Sequence, residues 1–168
     1  MALRVDVRID YVEFGYVEGG VGVRVDGVPL VRYEGGESSE YLGYLLDTTL
    51  SNLLEALETV VEAGSPATAA AGGGVVEIRV ELVEGDRIRI SLRGSELVHP
   101  ESKRGYVVET DELCEQVIAC ARKVAWACEA DAEAADWPAD LAEFDHSGED
   151  HRLRNQAASL RETLRRHR

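Results

Sequence analysis

The chain has 168 residues, of which 18 are Lys or Arg and 32 are Asp or Glu, giving a formal charge of −14 and a pI near 4.7. A chain of this length is by default one domain that buries about 70% of its unfolded surface, and 45% apolar residues are enough for a real core. The acid excess excludes a nucleic-acid-binding body, because phosphate backbones are held by clustered Lys and Arg; it points to a basic partner or to a soluble surface.

The longest run without a charged side chain, Ala63 to Val76, is 14 residues of mostly Gly and Ala, shorter than the roughly 20 apolar residues of a membrane helix. The opening Met1-Ala2-Leu3-Arg4-Val5-Asp6 places charges where a signal peptide needs an unbroken apolar region, so a cytoplasmic location is expected. Cys114, Cys120 and Cys128 are odd in number and lack CxxC spacing, which supports neither a disulfide framework nor a zinc knuckle.

Leu3, Val5, Val7, Ile9 and Tyr11 alternate with Arg4, Asp6, Arg8 and Asp10, the pattern of a half-buried strand. A Gly-containing turn near Gly19-Gly20 leads into a second strand with Val21, Val23 and Val25, and Asp26-Gly27 supplies a tight hairpin turn to a third strand, Val28 to Tyr33, which Pro29 favours at an edge or in its first residues. Glu34 to Tyr44 reads as a surface loop. Leu50, Leu53, Leu54, Leu57, Val60 and Val61 then recur at helical spacing, with Asp47 or Thr48 as the expected N-cap and Gly64 with Pro66 ending the helix. Ser65 to Gly74 reads as a low-complexity linker. A second hairpin follows, with Val76, Ile78, Val80 and Leu82 on one arm and Ile88, Ile90 and Leu92 on the other. A short strand near Tyr106 to Val108 precedes a helix capped by Thr110 or Asp111, whose apolar side carries Leu113, Val117, Ile118, Ala121, Val124, Ala125 and Cys128. Trp137-Pro138 interrupts it, a turn carries Leu141 and Phe144, and Leu153, Ala157, Leu160 and Leu164 mark a terminal amphipathic helix.

The expected architecture is α+β: an antiparallel sheet of about five to six strands with helices on one face, formed by residues 1–128. Residues 129–168, an acidic segment and a basic helix, are expected to extend it and pack on the same domain. Val17-Glu18-Gly19 echoes Val83-Glu84-Gly85, and Gly27 with Leu30-Val31 echoes Gly94 with Leu97-Val98, a resemblance that hairpins also produce by reusing the same residue types.

Chemistry-bearing residues are few. The three cysteines share one helix and read as small buried hydrophobes, with neighbouring carboxylates that disfavour a thiolate. Asp145-His146 and Glu149-Asp150-His151 are the one local cluster of metal-ligand types, but Ser147-Gly148 between them favours a turn that starts the last helix. His99-Pro100-Glu101 offers an acid and a base without a nucleophile or oxyanion hole beside it. Gly72-Gly73-Gly74 and Gly19-Gly20-Val21-Gly22 run into strands, the wrong context for a phosphate loop. The sequence therefore calls for no catalytic residue, metal or cofactor.

Charge is unevenly spread. Glu129, Asp131, Glu133, Asp136, Asp140, Glu143, Asp145, Glu149 and Asp150 are nine acids in a stretch without Lys or Arg. From His151 onward, Arg152, Arg154, Arg161, Arg165, Arg166 and Arg168 face only Glu162, a net +5 that leaves −19 on residues 1–150. The acids Glu129, Asp131, Glu133, Asp136, Asp140, Glu143 and Asp145 are the expected partner-binding residues, and the basic end is expected either to fold against the body or to reach a partner.

The layout resembles small acidic actinobacterial immunity proteins of the WapI-like type, which belong to polymorphic toxin systems. The likeness lies in the alternating strand Leu3 to Tyr11, the helix Leu50-Ser51-Asn52-Leu53-Leu54-Glu55-Ala56-Leu57, the Gly-rich gap, the arm Val75-Val76-Glu77-Ile78-Arg79-Val80-Glu81-Leu82 and the helix after Thr110-Asp111-Glu112-Leu113. It spans roughly residues 1–128, with the tail departing from it. What the resemblance implies is stoichiometric binding and neutralisation of a cognate toxin, without cofactor. A second expectation is a structural or regulatory subunit that oligomerises through the C-terminal helices; a third, less favoured, is a hydrolase or metal enzyme using His99 or His146.

Overall fold

A computed structural model describes residues 2–13, 16–33, 40–71, 76–134 and 148–168, with side chains as far as 131 in the third helix and from 152 in the last. The chain is α+β, as its patterning implies. The strand arrangement differs from expectation: the described residues form two four-stranded antiparallel sheets.

The first sheet holds β1 (Leu3–Glu13), β2 (Tyr16–Val25), β3 (Val28–Pro29) and β4 (Tyr41–Leu42), with β1 on one edge of β2 and the two short strands sharing the other. Asp26 and Gly27 have φ of 52° and 79°, the paired positive values of a tight hairpin turn. The returning strand is only two residues long, after which Leu30 and Val31 turn inward and are buried. Leu3, Val5 and Val7 face the core, but the ladder slips between Ile9 and Tyr11. That bulge inverts the alternation, so Tyr11 is 46% exposed and Val12 packs inward in its place.

Gly19 and Gly20, expected in a turn, lie inside β2 and pair with Ile9 and Arg8, and Gly20 and Gly22 have a packing reason. A Cβ on Gly22 would sit 2.9 Å from the Tyr41 ring, and one on Gly20 2.8 Å from the Tyr41 Cβ. Tyr41 lies across this glycine face with the Arg8 and Arg24 guanidinium carbons 5.0 and 5.7 Å from its ring centre, and Arg24 also pairs with Asp6 and Glu40.

α1 (Leu46–Ala63) follows Leu45, which provides no side-chain cap; the expected caps Asp47 and Thr48 lie one and two residues inside the helix, where Asp47 complements the dipole. It ends at Gly64 as read from sequence. Leu46, Leu50, Leu53, Leu54, Leu57 and Val60 are all fully buried, because α1 packs against both sheets and both long helices.

The linker reading of Ser65 to Gly74 is corrected in part: Ala67–Ala70 is an edge strand, β5, of the second sheet. β6 (Glu77–Leu82) and β7 (Arg87–Arg93) form the second hairpin, and β8 (Tyr106–Glu109) closes the order β5-β6-β7-β8 after the short helix α2 (Pro100–Arg104). The outer face of this sheet is a ladder of opposite charges: Glu77 opposes Arg93, Glu81 opposes Arg89 and Arg87 opposes Glu109. A bridge between Tyr33 and Val98, together with the His99 N–H donating to the Arg32 carbonyl at 2.9 Å, ties the two halves together.

α3 (Thr110–Ala134) runs beside β1 and satisfies part of its open edge. The Gln116 side chain accepts from the Val5 N–H at 2.6 Å and donates to the Leu3 carbonyl at 2.9 Å, taking the place of a neighbouring strand. α4 (Gly148–His167) lies against α1 and α3 and buries the whole stripe Leu153, Ala157, Leu160 and Leu164.

Candidate protein-binding surface

The groups that carry chemistry are mostly turned inward. Cys114, Cys120 and Cys128 are buried thiols, none of them in a disulfide. Burial, reinforced by Asp111 and Glu115, pushes Cys114 up to about 12; burial and then Asp6 push Cys120 up to about 11. His99 is the N-cap of α2, its Nδ1 accepting from the Glu101 N–H at 3.1 Å, while Glu101 pairs with Arg32. Among the described residues no group of three His, Cys, Asp or Glu side chains is placed to hold a metal ion, and no helix is long and apolar enough to cross a membrane. Asp145 and His146 lie outside the described residues, as do the side chains of Glu149, Asp150 and His151.

The seven acids expected to meet a partner divide sharply. Glu129 is engaged inside the chain: Arg154 donates to its two carboxylate oxygens at 2.6 and 2.8 Å, a forked pair between α4 and α3. Asp131 is half-buried on the last described turn of α3, with Oδ2 out of reach of solvent. Glu133 lies in α3 with its side chain undescribed, and Asp136, Asp140, Glu143 and Asp145 lie outside the described residues.

The basic end folds back on the body. Arg161 donates to Glu115 at 2.7 Å, Arg166 to Glu62 at 3.1 Å, and Arg168 pairs with Asp111 at 2.9 Å; Ser159 and Thr163 donate to Glu58 at 2.6 and 3.1 Å. The seam thus joins a buried apolar stripe to flanking polar pairs, with Glu58 and Glu62 of α1 and Asp111, Glu115 and Glu129 of α3 as acceptors. The cleft of about 270 Å³ beside it, lined by Val61, Leu82, Thr110, Asp111, His167 and Arg168, is spanned by the Arg168–Asp111 pair.

The acidic surface of the described chain is elsewhere. α1 contains Asp47, Glu55, Glu58 and Glu62 and no Lys or Arg. Asn52, Glu55, Ala56 and Thr59, three and four residues apart, form the side of α1 that faces β5. With Ala67, Thr68, Ala70 and Glu77 they enclose an open groove of about 340 Å³. Its floor is made of small side chains, and Glu55 and Glu77 flank it without an ion pair among the described residues. Asn52 spans one end, donating to the Ala70 carbonyl at 3.0 Å. Beyond Glu55 the helix carries Glu58 and Glu62, whose carboxylates are taken by Ser159, Thr163 and Arg166 of α4.

Neither Glu55 nor Glu77 stands out in the sequence, where each reads as a routine outward charge. The signal that was available is the absence of any basic residue in an 18-residue helix followed by a run of Ala and Thr. The face of α3 behaves differently: Trp126 is 66% exposed, with Arg122 and Lys123 one turn before it.

Comparison with protein families, with curated proteins and with solved structures finds no match to this chain.

Proposed function

We propose that this chain is a non-catalytic protein-binding module of the immunity or inhibitor type, which neutralises a basic partner such as a toxin that cuts nucleic acid. The observation that carries the reading is the groove beside α1, flanked by Glu55 and Glu77 without an ion pair among the described residues, on a helix that has no basic residue. A cationic active-site rim is attracted to such a surface over a distance, which raises the association rate at low salt. The internal placement of the thiols and the capping role of His99 agree with a chain that works by contact. The same reading follows from the resemblance to acidic immunity proteins. Oligomerisation through the C-terminal stripe loses its motive, since Leu153, Ala157, Leu160 and Leu164 are spent on the chain's own helices.

The test is co-expression of the full chain with the products of neighbouring open reading frames, followed by co-purification and a salt titration of any complex. A one-to-one complex with a basic protein, weakening steeply with salt, is expected. Absence of binding to every neighbour, or a complex indifferent to salt, overturns the reading.

A further inference from the structure

The edge of β5 has a feature that the acidic groove alone does not explain. In an antiparallel ladder, successive residues point their N–H and C=O groups alternately toward and away from the neighbouring strand. Ala71 donates to the Val76 carbonyl, so Ala69, two residues earlier and paired with Ile78, also faces β6. Thr68 and Ala70 therefore direct their backbone groups outward. The Asn52 bond to the Ala70 carbonyl confirms the phase. The Thr68 N–H, the Thr68 carbonyl and the Ala70 N–H have no partner among the described residues, in a strand whose Thr68 and Ala70 are exposed.

β1, the comparable edge of the first sheet, is treated differently. Gln116 occupies its first half and a bulge distorts its second. Among the described residues β5 has no bulge, and one hydrogen bond, from Asn52, reaches its outer edge.

We propose that β5 receives an extended segment of a basic protein, added as a fifth strand of the second sheet and carrying Arg or Lys side chains to Glu55 and Glu77. This rests on the basic-partner reading above and names the part of the partner that would be bound. Ala70 lies opposite Glu77 in the ladder and puts only a methyl group between the edge and that carboxylate, a lane that a long cationic side chain can cross. The next residue of the incoming strand points to the other face, toward α1 and Glu55. Main-chain pairing supplies the hold and the two glutamates the preference for cations. A partner that binds the α1 ridge as a folded surface, without a strand, is the alternative outcome.

The experiment uses the full chain, labelled for NMR, and a capped synthetic peptide in which pairs of arginines alternate with single valines. At low salt the Thr68 and Ala70 amides are expected to shift and to exchange more slowly with solvent. The double variant Glu55→Gln/Glu77→Gln should bind the peptide about fivefold more weakly, the effect of losing two exposed ion pairs. The variant Glu96→Gln/Glu112→Gln, with the same change in charge, should stay within about twofold. N-methylation of one alternate set of peptide amides should abolish binding, while methylation of the other set is tolerated. Unmoved Thr68 and Ala70 amides, no difference between the two methylated peptides, or absence of binding each overturns the strand addition. A cognate basic protein that binds the Glu55→Gln/Glu77→Gln variant with undiminished affinity does so too, and leaves the basic-partner function standing.

Discussion

Replacing Gln116 by Ala tests whether a side chain stands in for a β-strand. Two hydrogen bonds are lost at once, the 2.6 Å bond to the Val5 N–H and the 2.9 Å bond to the Leu3 carbonyl, and both groups are part-buried under α3. A hydrogen bond contributes about 1 kcal/mol net, and a stranded buried donor costs more, but partial burial lets water reach the vacated edge. About 2 kcal/mol is therefore expected, equivalent to a fall of about 6 °C in melting temperature for a chain of this size. Denaturant titration measures the energy, and amide exchange locates it: the Val5 amide, protected although it points away from β2, becomes fast, while the Asp6 amide, held by β2, stays slow. Gln116→Glu keeps the acceptor for Val5 but sets a carboxylate against the Leu3 carbonyl, and should cost at least as much at neutral pH. A loss below about 0.5 kcal/mol for Gln116→Ala, with Val5 exchange unchanged, would refute the strand-surrogate argument.

Three further outcomes are expected. Leu160→Ala, at a fully buried position between α4 and its two partners, should destabilise the fold by about 3 kcal/mol by calorimetry, whereas Arg165→Ala on the exposed side of α4 should change it by less than about 0.5 kcal/mol. A double-mutant cycle on Arg154 and Glu129 should give a coupling of about 1 kcal/mol that shrinks in high salt, since both side chains are about a third exposed. The thiols should resist a thiol-specific reagent at pH 8 in the folded chain and react rapidly in denaturant. Because Cys114 and Cys120 are raised on folding to about 12 and about 11, their contribution to stability is complete below the ordinary thiol value of 9 and falls as pH rises above it, so an alkaline titration should show stability declining between about 9 and 12.

Much of this architecture was legible in the amino-acid pattern because the apolar periods are long. β1, α1, the β6–β7 hairpin and the start of α3 each repeat their period several times, and each forms near its expected place. The short pieces carry too few residues to state a period. Ala67–Ala70 looks like a linker because strand alternation is invisible when every side chain is small. The bulge in β1 leaves no trace in composition, yet it exchanges the roles of Tyr11 and Val12. Pairing between hairpins is a long-range property, so two separate sheets and one continuous sheet have the same local signals. The site followed the same rule. A run of acids marks 129–150, but Glu129 is taken by Arg154, 25 residues away, a match that local spacing does not encode. Glu55 and Glu77 gain meaning only when β5 folds back beside α1.

The seam of α4 also sets a timetable. Glu58 of α1 receives its contacts from Ser159 and Thr163, 101 and 105 residues later in the chain. At about 5–20 residues per second, a ribosome that has made α1 needs roughly 5–20 s more to deliver the helix that covers it. Through that interval the leucines of α1 that α4 will shield are open to other chains or to a chaperone, and crowded synthesis is the stage at which this fold is most exposed to misassembly.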